Sequence, residues 1–139
     1  MKNSRRRSQK GSAMVESALC VLAFLLMVLA IADIGQFLFI QQTLTERVRH
    51  ALARGSRTTY NETAVRNLVM YGTETPSEGQ SPLFNLTAEM VSVSHQSSGT
   101  VEDRIEVRVS GHPLNLLTPG LSQVGKTLPI RMTTAYDAD

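Results

Sequence analysis

The sequence lacks the residue types and motifs that would indicate catalysis or covalent stabilisation. Its single cysteine, Cys20, lies in an apolar run, so the chain cannot form an internal disulfide. The three histidines show no metal-ligand spacing, and there is no glycine-rich phosphate loop and no hydrolase or metalloprotease motif. We therefore predict that the protein is not an enzyme and takes no cofactor, no metal and no small-molecule substrate.

Acidic residues are absent from the first fifteen positions, where basic residues are concentrated. The leader, residues 1–11, contains five of the 14 basic residues of the chain: Lys2, Arg5, Arg6, Arg7 and Lys10. From Ser12 onward the other nine face all 12 acidic residues, so this part is slightly acidic. The basic character belongs to the leader and does not favour a nucleic-acid partner.

Polar side chains are absent from Ala18 to Ala32, and apolar residues resume after Asp33. Residues 12–40 are long enough for a transmembrane helix, which needs about 20 residues. The basic leader predicts a cytoplasmic N-terminus and an extracytoplasmic C-terminal part. Glu16 and Asp33 would lie roughly 25 Å apart along the helix. We expect Asp33 to rest at the membrane interface without a charged partner.

Two other interpretations of this segment stay open. Ala30-Ile31-Ala32 fits a signal-peptidase site, and cleavage after Ala32 would release a soluble binding module. Alternatively, the uncut span could be the plain anchor of an envelope protein.

Residues 41–72 predict an amphipathic helix followed by a short second helix. Leu44, Val48 and Leu52 recur every four residues, and Gly55 is expected to end the first helix. The second helix is expected between an N-cap at Asn61 and a stop at Gly72. A second face of the first helix is basic and either solvated or in contact with lipid headgroups or an acidic partner: Arg47, His50, Arg54 and Arg57.

Residues 73–139 predict a strand-rich extracytoplasmic domain. Residues 90–95 and 105–109 alternate between apolar and polar side chains around a hairpin at 96–100, and residues 128–136 predict a third strand with an edge position at Pro129. We interpret Glu102 and Asp103 as turn residues that serve solubility. The fold class is therefore α+β, with a long N-terminal helix, a short second helix and an antiparallel sheet of about three strands.

The N-terminal residues also carry a family resemblance. Lys10-Gly11 followed by Glu16 resembles the leader of type IV pilins and pseudopilins, which a prepilin peptidase cuts after the glycine. Val15 to Leu19 is similar to the V-E-F-A-L segment of the TadE-like minor pseudopilins of tight-adherence pili, Asp33-Ile34-Gly35 to their acidic-x-Gly, and Val65 to Gly72 to their V-x-N-x-V-x-Y-G segment.

The resemblance implies a non-catalytic protein of the bacterial inner membrane that acts in the assembly or structure of a tight-adherence type pilus. It implies processing between Gly11 and Ser12, and pairing of Glu16 with the new Ser12 amine of a neighbouring subunit. The implied partners are the membrane, other pilin-like subunits, pilus assembly proteins and a prepilin peptidase. Whether the protein enters the surface pilus or only primes its assembly stays open.

Overall fold

A computed structural model describes residues 4–118 and 125–136, with side chains from Ser12 onward. Helix α1 spans Ser4–Gly55, and helix α2 spans Glu62–Tyr71. Two single-turn 3₁₀ helices follow at Leu83–Asn85 and Ala88–Met90. The strands are β1 (Val91–Gln96), β2 (Arg104–Val109) and β3 (Ile130–Ala135). The predicted α+β class is confirmed.

Helix α1 is continuous, but its two halves have different surroundings. Nearly all side chains from Ser12 to Phe39 are exposed, whereas Ile40, Leu44 and Val48 are buried in the core of the domain. The four-residue spacing of these buried positions places them along one stripe of the helix, as the sequence predicted for Leu44 and Val48. Ile40, which the sequence analysis assigned to the transmembrane segment, belongs to the same stripe. One helix therefore links an apolar N-terminal rod to a packed C-terminal half.

The ends of α2 follow from local sequence signals. The Asn61 side chain accepts a hydrogen bond from the Ala64 amide at 3.1 Å, which satisfies one free donor of the first turn. Gly72 ends the helix with φ +79°, a left-handed conformation that glycine adopts without a steric penalty. Both predicted caps are confirmed, and so is the end of α1 at Gly55.

In the described residues the sheet is antiparallel with the order β1-β2-β3. Val93 pairs with Val107, and Val107 pairs with Met132 on the next strand. This face is covered by both helices, and its valines and isoleucines are buried. Each fully buried side chain of this kind contributes roughly 1.5–3 kcal/mol relative to an exposed one. The sheet and the second half of α1 share one core.

The third strand begins later than the sequence predicted. It starts at Ile130, and Leu128 stands before it with its side chain 60% exposed. Pro129 has no amide hydrogen to give to a ladder, which explains why pairing begins one residue after it. β3 lies at the edge of the sheet, as the proline indicated.

Candidate functional site

The N-terminal half of α1 presents an apolar surface that no other described part of the chain covers. Within the described residues, α1 from Ser12 is the one helix long and apolar enough to cross a membrane. Its exposed side chains include Leu22, Phe24 and Ile31, each more than half exposed. A helix satisfies its own backbone hydrogen bonds, which is what a bilayer requires of a spanning segment. The chain is therefore suited to be a single-pass, membrane-anchored protein.

The residues predicted for processing and pairing lie on this exposed rod. Gly11 lies within α1, and Ser12 and Glu16 are exposed one helical turn apart on the same face. Ser17, beside Glu16, donates its hydroxyl hydrogen to the Ala13 carbonyl at 2.9 Å. The Ser12–Glu16 face is thus open to another chain.

Asp33 is enclosed by the domain, which the sequence analysis did not predict. Its side chain is only 7% exposed, and the loop 113–118 lies over it. Its Oδ1 accepts the Leu117 amide at 2.5 Å, and its Oδ2 accepts the Thr118 amide at 3.0 Å and the Thr118 hydroxyl at 2.5 Å. Three neutral donors replace the water that an interfacial carboxylate would otherwise need.

The same loop is tied to the domain at its base. Leu114 donates its amide to the Gly125 carbonyl at 2.9 Å, and its side chain is buried. The segment from Pro113 to Gly120 is apolar but broken by proline and glycine, a pattern that predicts a packed loop. The structure describes this loop as far as Thr118, and Pro119 and Gly120 lie outside the described residues. The loop therefore connects the domain core to the middle of α1.

The four basic residues do not form one uniform face. Arg47 is half-buried, and its guanidinium lies over Gly72 at the end of α2. Arg54 forms an ion pair with Glu74, while His50 and Arg57 are exposed. His50, Arg54 and Arg57 line a shallow depression together with Ala53 and Thr58. The structure thus keeps three of the four predicted contact residues on one surface.

The sequence analysis did not predict a cluster of side chains around His95, near the end of β1. His95 lies 2.5 Å from the Asp103 carboxylate, and its ring packs against Tyr60 and Tyr136 at centroid distances of 4.4 and 5.0 Å. Asp103 also accepts the Gly99 amide at 2.8 Å. In the β1–β2 hairpin His95 pairs with Ile105, which follows Asp103 by two residues.

The cluster joins the last strand to the segment between the helices. The Tyr136 hydroxyl donates to the Thr58 carbonyl at 3.2 Å and accepts the Tyr60 amide at 2.9 Å. Burial raises the pKa of the Tyr60 phenol. Because Asp103 binds His95 within this cluster, it has a structural role, which corrects its interpretation as a solubility residue. Glu102 is exposed, as expected.

The outer face of the sheet contains a buried carboxylate held by arginine. Glu106 is 5% exposed, and its two oxygens accept from Arg131 at 2.7 and 2.9 Å. Gln96 donates to it at 3.0 Å, and Arg108 at 3.3 Å. The hydrogen bonds from Arg131 lower the pKa of Glu106, and Glu106 in turn raises the pKa of Arg131. This network crosses all three strands and explains how the sheet buries a charge.

No group of three or more His, Cys, Asp or Glu side chains in the described part of the chain is placed to hold a metal ion. The candidate contact sites are instead the exposed apolar half of α1, the loop 113–118 that binds Asp33, and the basic depression lined by His50, Arg54 and Arg57. They belong to an α+β protein whose first helix is long and apolar enough to cross a membrane and also packs into the domain.

Comparison with known proteins agrees with the family resemblance. Residues 11–53 match the family model described as TadE-like protein, which confirms that resemblance for the helix that contains Gly11, Glu16 and Asp33. The match covers 43 of the 139 residues, less than a third of the chain, and falls on helix α1. No curated protein and no solved structure matches the chain.

Proposed function

We propose that the protein is a non-catalytic, pseudopilin-like component that acts in the assembly or structure of a tight-adherence type pilus. The observation that carries this proposal is that the TadE-like match falls on one exposed apolar helix, which presents Ser12 and Glu16 on the same face. Helices of this kind can associate side by side in a membrane. The domain at the other end of α1 leaves the N-terminal rod free for such contacts.

We propose that the peptide bond after Gly11 is cut by a prepilin peptidase. The Ser12 amine would then be a cation at the edge of the membrane segment. A carboxylate within a bilayer is costly unless it has a partner, so Glu16 would favour docking against a neighbouring amine. The ion pair between Glu16 and the neighbouring Ser12 amine would stabilise one register between adjacent subunits.

The proposed orientation places the leader in the cytoplasm of a bacterial inner membrane and the domain outside. Its support is the five basic residues before Gly11, with no acid among them. The helix continues without interruption past Ala32, and Asp33 contacts the domain. These features favour an anchored protein over a module released after Ala32.

N-terminal sequencing of the membrane-purified protein tests the proposal. A mature chain beginning at Ser12 is expected. A chain beginning at Asp33 would establish the released module, and an intact leader would favour a plain anchor. Reporter fusions after Thr100 test the orientation, since an export-side reporter should be active there and a cytoplasmic one inactive.

The association with pilus components needs a separate measurement. We expect the full-length protein to crosslink in cells to other pilin-like subunits encoded near its gene. Absence of such crosslinks, in cells that assemble the pilus, would contradict a role in the fibre or in its priming.

A further inference from the structure

The loop 113–118 is fixed at a definite position along α1. Asp33 holds it through the amides of Leu117 and Thr118, while Leu114 fixes its base to the domain. Because both ends are held, the loop has a definite distance from the start of the membrane segment.

That distance corresponds to the thickness of the hydrocarbon core of a bilayer. From Ser12 to Asp33 the helix rises about 30 Å, which is about the thickness of the hydrocarbon core. If Ser12 lies at the inner boundary, Asp33 lies at the outer one. The loop amides that bind its carboxylate then lie at the same depth.

The exposed side chains at this depth are apolar. Leu117 is 58% exposed although its own amide is bound to Asp33. On α1, Ile34 and Leu38 are 59% and 49% exposed in the turns just after Asp33. Exposure of these apolar side chains to water is unfavourable, whereas their contact with the outer edge of the hydrocarbon layer is favourable.

We propose that the loop 113–118 is seated in the outer interface of the membrane, with the Leu117 side chain in contact with lipid acyl chains. The domain is then held against the membrane at two points, α1 and the loop, and its orientation on the bilayer is set. The inference rests on the proposed membrane anchor, and it adds a lipid contact outside the spanning helix.

The chain has no tryptophan, so single tryptophan variants report on single positions. We would reconstitute the full-length variant Leu117→Trp in phosphatidylcholine vesicles with and without acyl-chain bromination, which quenches tryptophan on contact. Phe24→Trp, on the exposed rod, is the reference for the spanning segment. Val101→Trp, on the fully exposed residue near the β1–β2 turn, is the reference for water.

We expect the Leu117→Trp emission to be blue-shifted and to fall by about half in brominated vesicles, with Phe24→Trp quenched more and Val101→Trp unchanged. Emission of Leu117→Trp that matches Val101→Trp, with Phe24→Trp quenched, overturns the lipid contact and leaves the anchor intact. A blue shift without quenching overturns it in favour of contact with another copy. If Phe24→Trp is not quenched, the membrane anchor itself is wrong.

Discussion

The carboxylate of Asp33 accepts two hydrogen bonds from Thr118, although 85 residues separate them in the chain. The contact joins the apolar rod to the last part of the domain. Asp33 lies about two turns before Ile40, the first residue of α1 in the core. The pair therefore adds a contact between the anchor and the domain ahead of the packed half of the helix.

Asp33→Ala should release the loop, because it removes every acceptor for the Leu117 and Thr118 amides. Asp33→Asn keeps one oxygen and should have an intermediate effect, and Thr118→Val removes only the hydroxyl donor. We expect amide hydrogen exchange at Leu117 and Thr118 to speed up in the order Thr118→Val, Asp33→Asn, Asp33→Ala. Unchanged exchange in Asp33→Ala, with Gln42→Ala as the exposed control on α1, would contradict the role of this contact.

Gly55→Ala should destabilise the packing of α1 against α2. A Cβ atom at Gly55 would lie 2.7 Å from Cγ2 of Val65, a stiff and buried side chain. Overpacking of this kind costs about 1–3 kcal/mol. Thermal unfolding in detergent, followed by near-ultraviolet circular dichroism, would measure it.

Gly35 provides the matched control for that substitution. It lies in the same helix. Apart from its chain neighbours and the helix's own backbone, no atom of the described residues lies within 4 Å of the position that a Cβ atom would occupy there. Gly35→Ala should therefore be neutral or stabilising by up to about 1 kcal/mol. Adding Val65→Ala should reduce the cost of Gly55→Ala, since the two changes share one space. Equal effects of Gly55→Ala and Gly35→Ala would argue against the close approach.

The stability of the sheet should fall in acid because of Glu106. Its pKa in the folded chain is lowered, chiefly by the hydrogen bonds from Arg131, so the unfolded chain takes up the proton first as the pH falls. The contribution is complete above the ordinary carboxyl value of 4.5 and is lost as the pH falls below it, through the folded-state pKa. Arg131 is largely exposed, so salt should weaken the effect.

Amide exchange of β2 and β3 measured across this pH range would test the role of Glu106. Glu106→Gln should make the protection of both strands less dependent on pH between neutrality and acid. Glu102→Gln, an exposed carboxylate near the start of β2, should retain the wild-type dependence. An identical acid response in wild type and Glu106→Gln would assign the effect to other groups.

The basic depression is better placed for a protein than for lipid headgroups. Arg54 follows Asp33 by about 30 Å along the helix, well beyond the reach of headgroups if α1 stands upright. Arg57→Glu should therefore reduce co-purification with the other pilus proteins several-fold while membrane insertion is retained. Arg104→Glu, an exposed arginine on the sheet, is the control. Loss of vesicle binding in place of protein binding would favour lipid.

Local signals predicted most of the fold but not its long-range contacts. The caps at Asn61 and Gly72 act within a few residues, and the alternation of Val91 and Val93 marks a face of one strand, so both could be recognised in the sequence. Asp33 could not be paired with Thr118 in this way, because no periodicity links a helix to a loop 85 residues away. The exposed rod was predictable from composition, whereas the position of the loop beside it depends on the whole fold.

Glu16→Gln distinguishes a paired carboxylate from one that merely rests at the interface. If Glu16 is unpaired, its negative charge only makes insertion into the membrane less favourable. Removing that charge should then leave insertion and association intact or slightly improved. If Glu16 pairs with the Ser12 amine of a neighbour, the same change removes the attraction, and losing one partner of a buried pair costs about 3–5 kcal/mol, or orders of magnitude in association. We expect insertion to survive and crosslinking to other pilin-like subunits to fail.

The control for Glu16→Gln must be chosen with the structure in view. Asp33→Asn would disturb the loop, because Asp33 binds Leu117 and Thr118. Ser17→Ala is better matched, since Ser17 neighbours Glu16 on the rod and its hydroxyl donates within the helix, to the Ala13 carbonyl. Ser17→Ala should therefore retain crosslinking. The measurement belongs in cells that cut the leader after Gly11, where the Ser12 amine exists. Normal crosslinking of Glu16→Gln in such cells would exclude the pairing and leave Glu16 as an interfacial carboxylate.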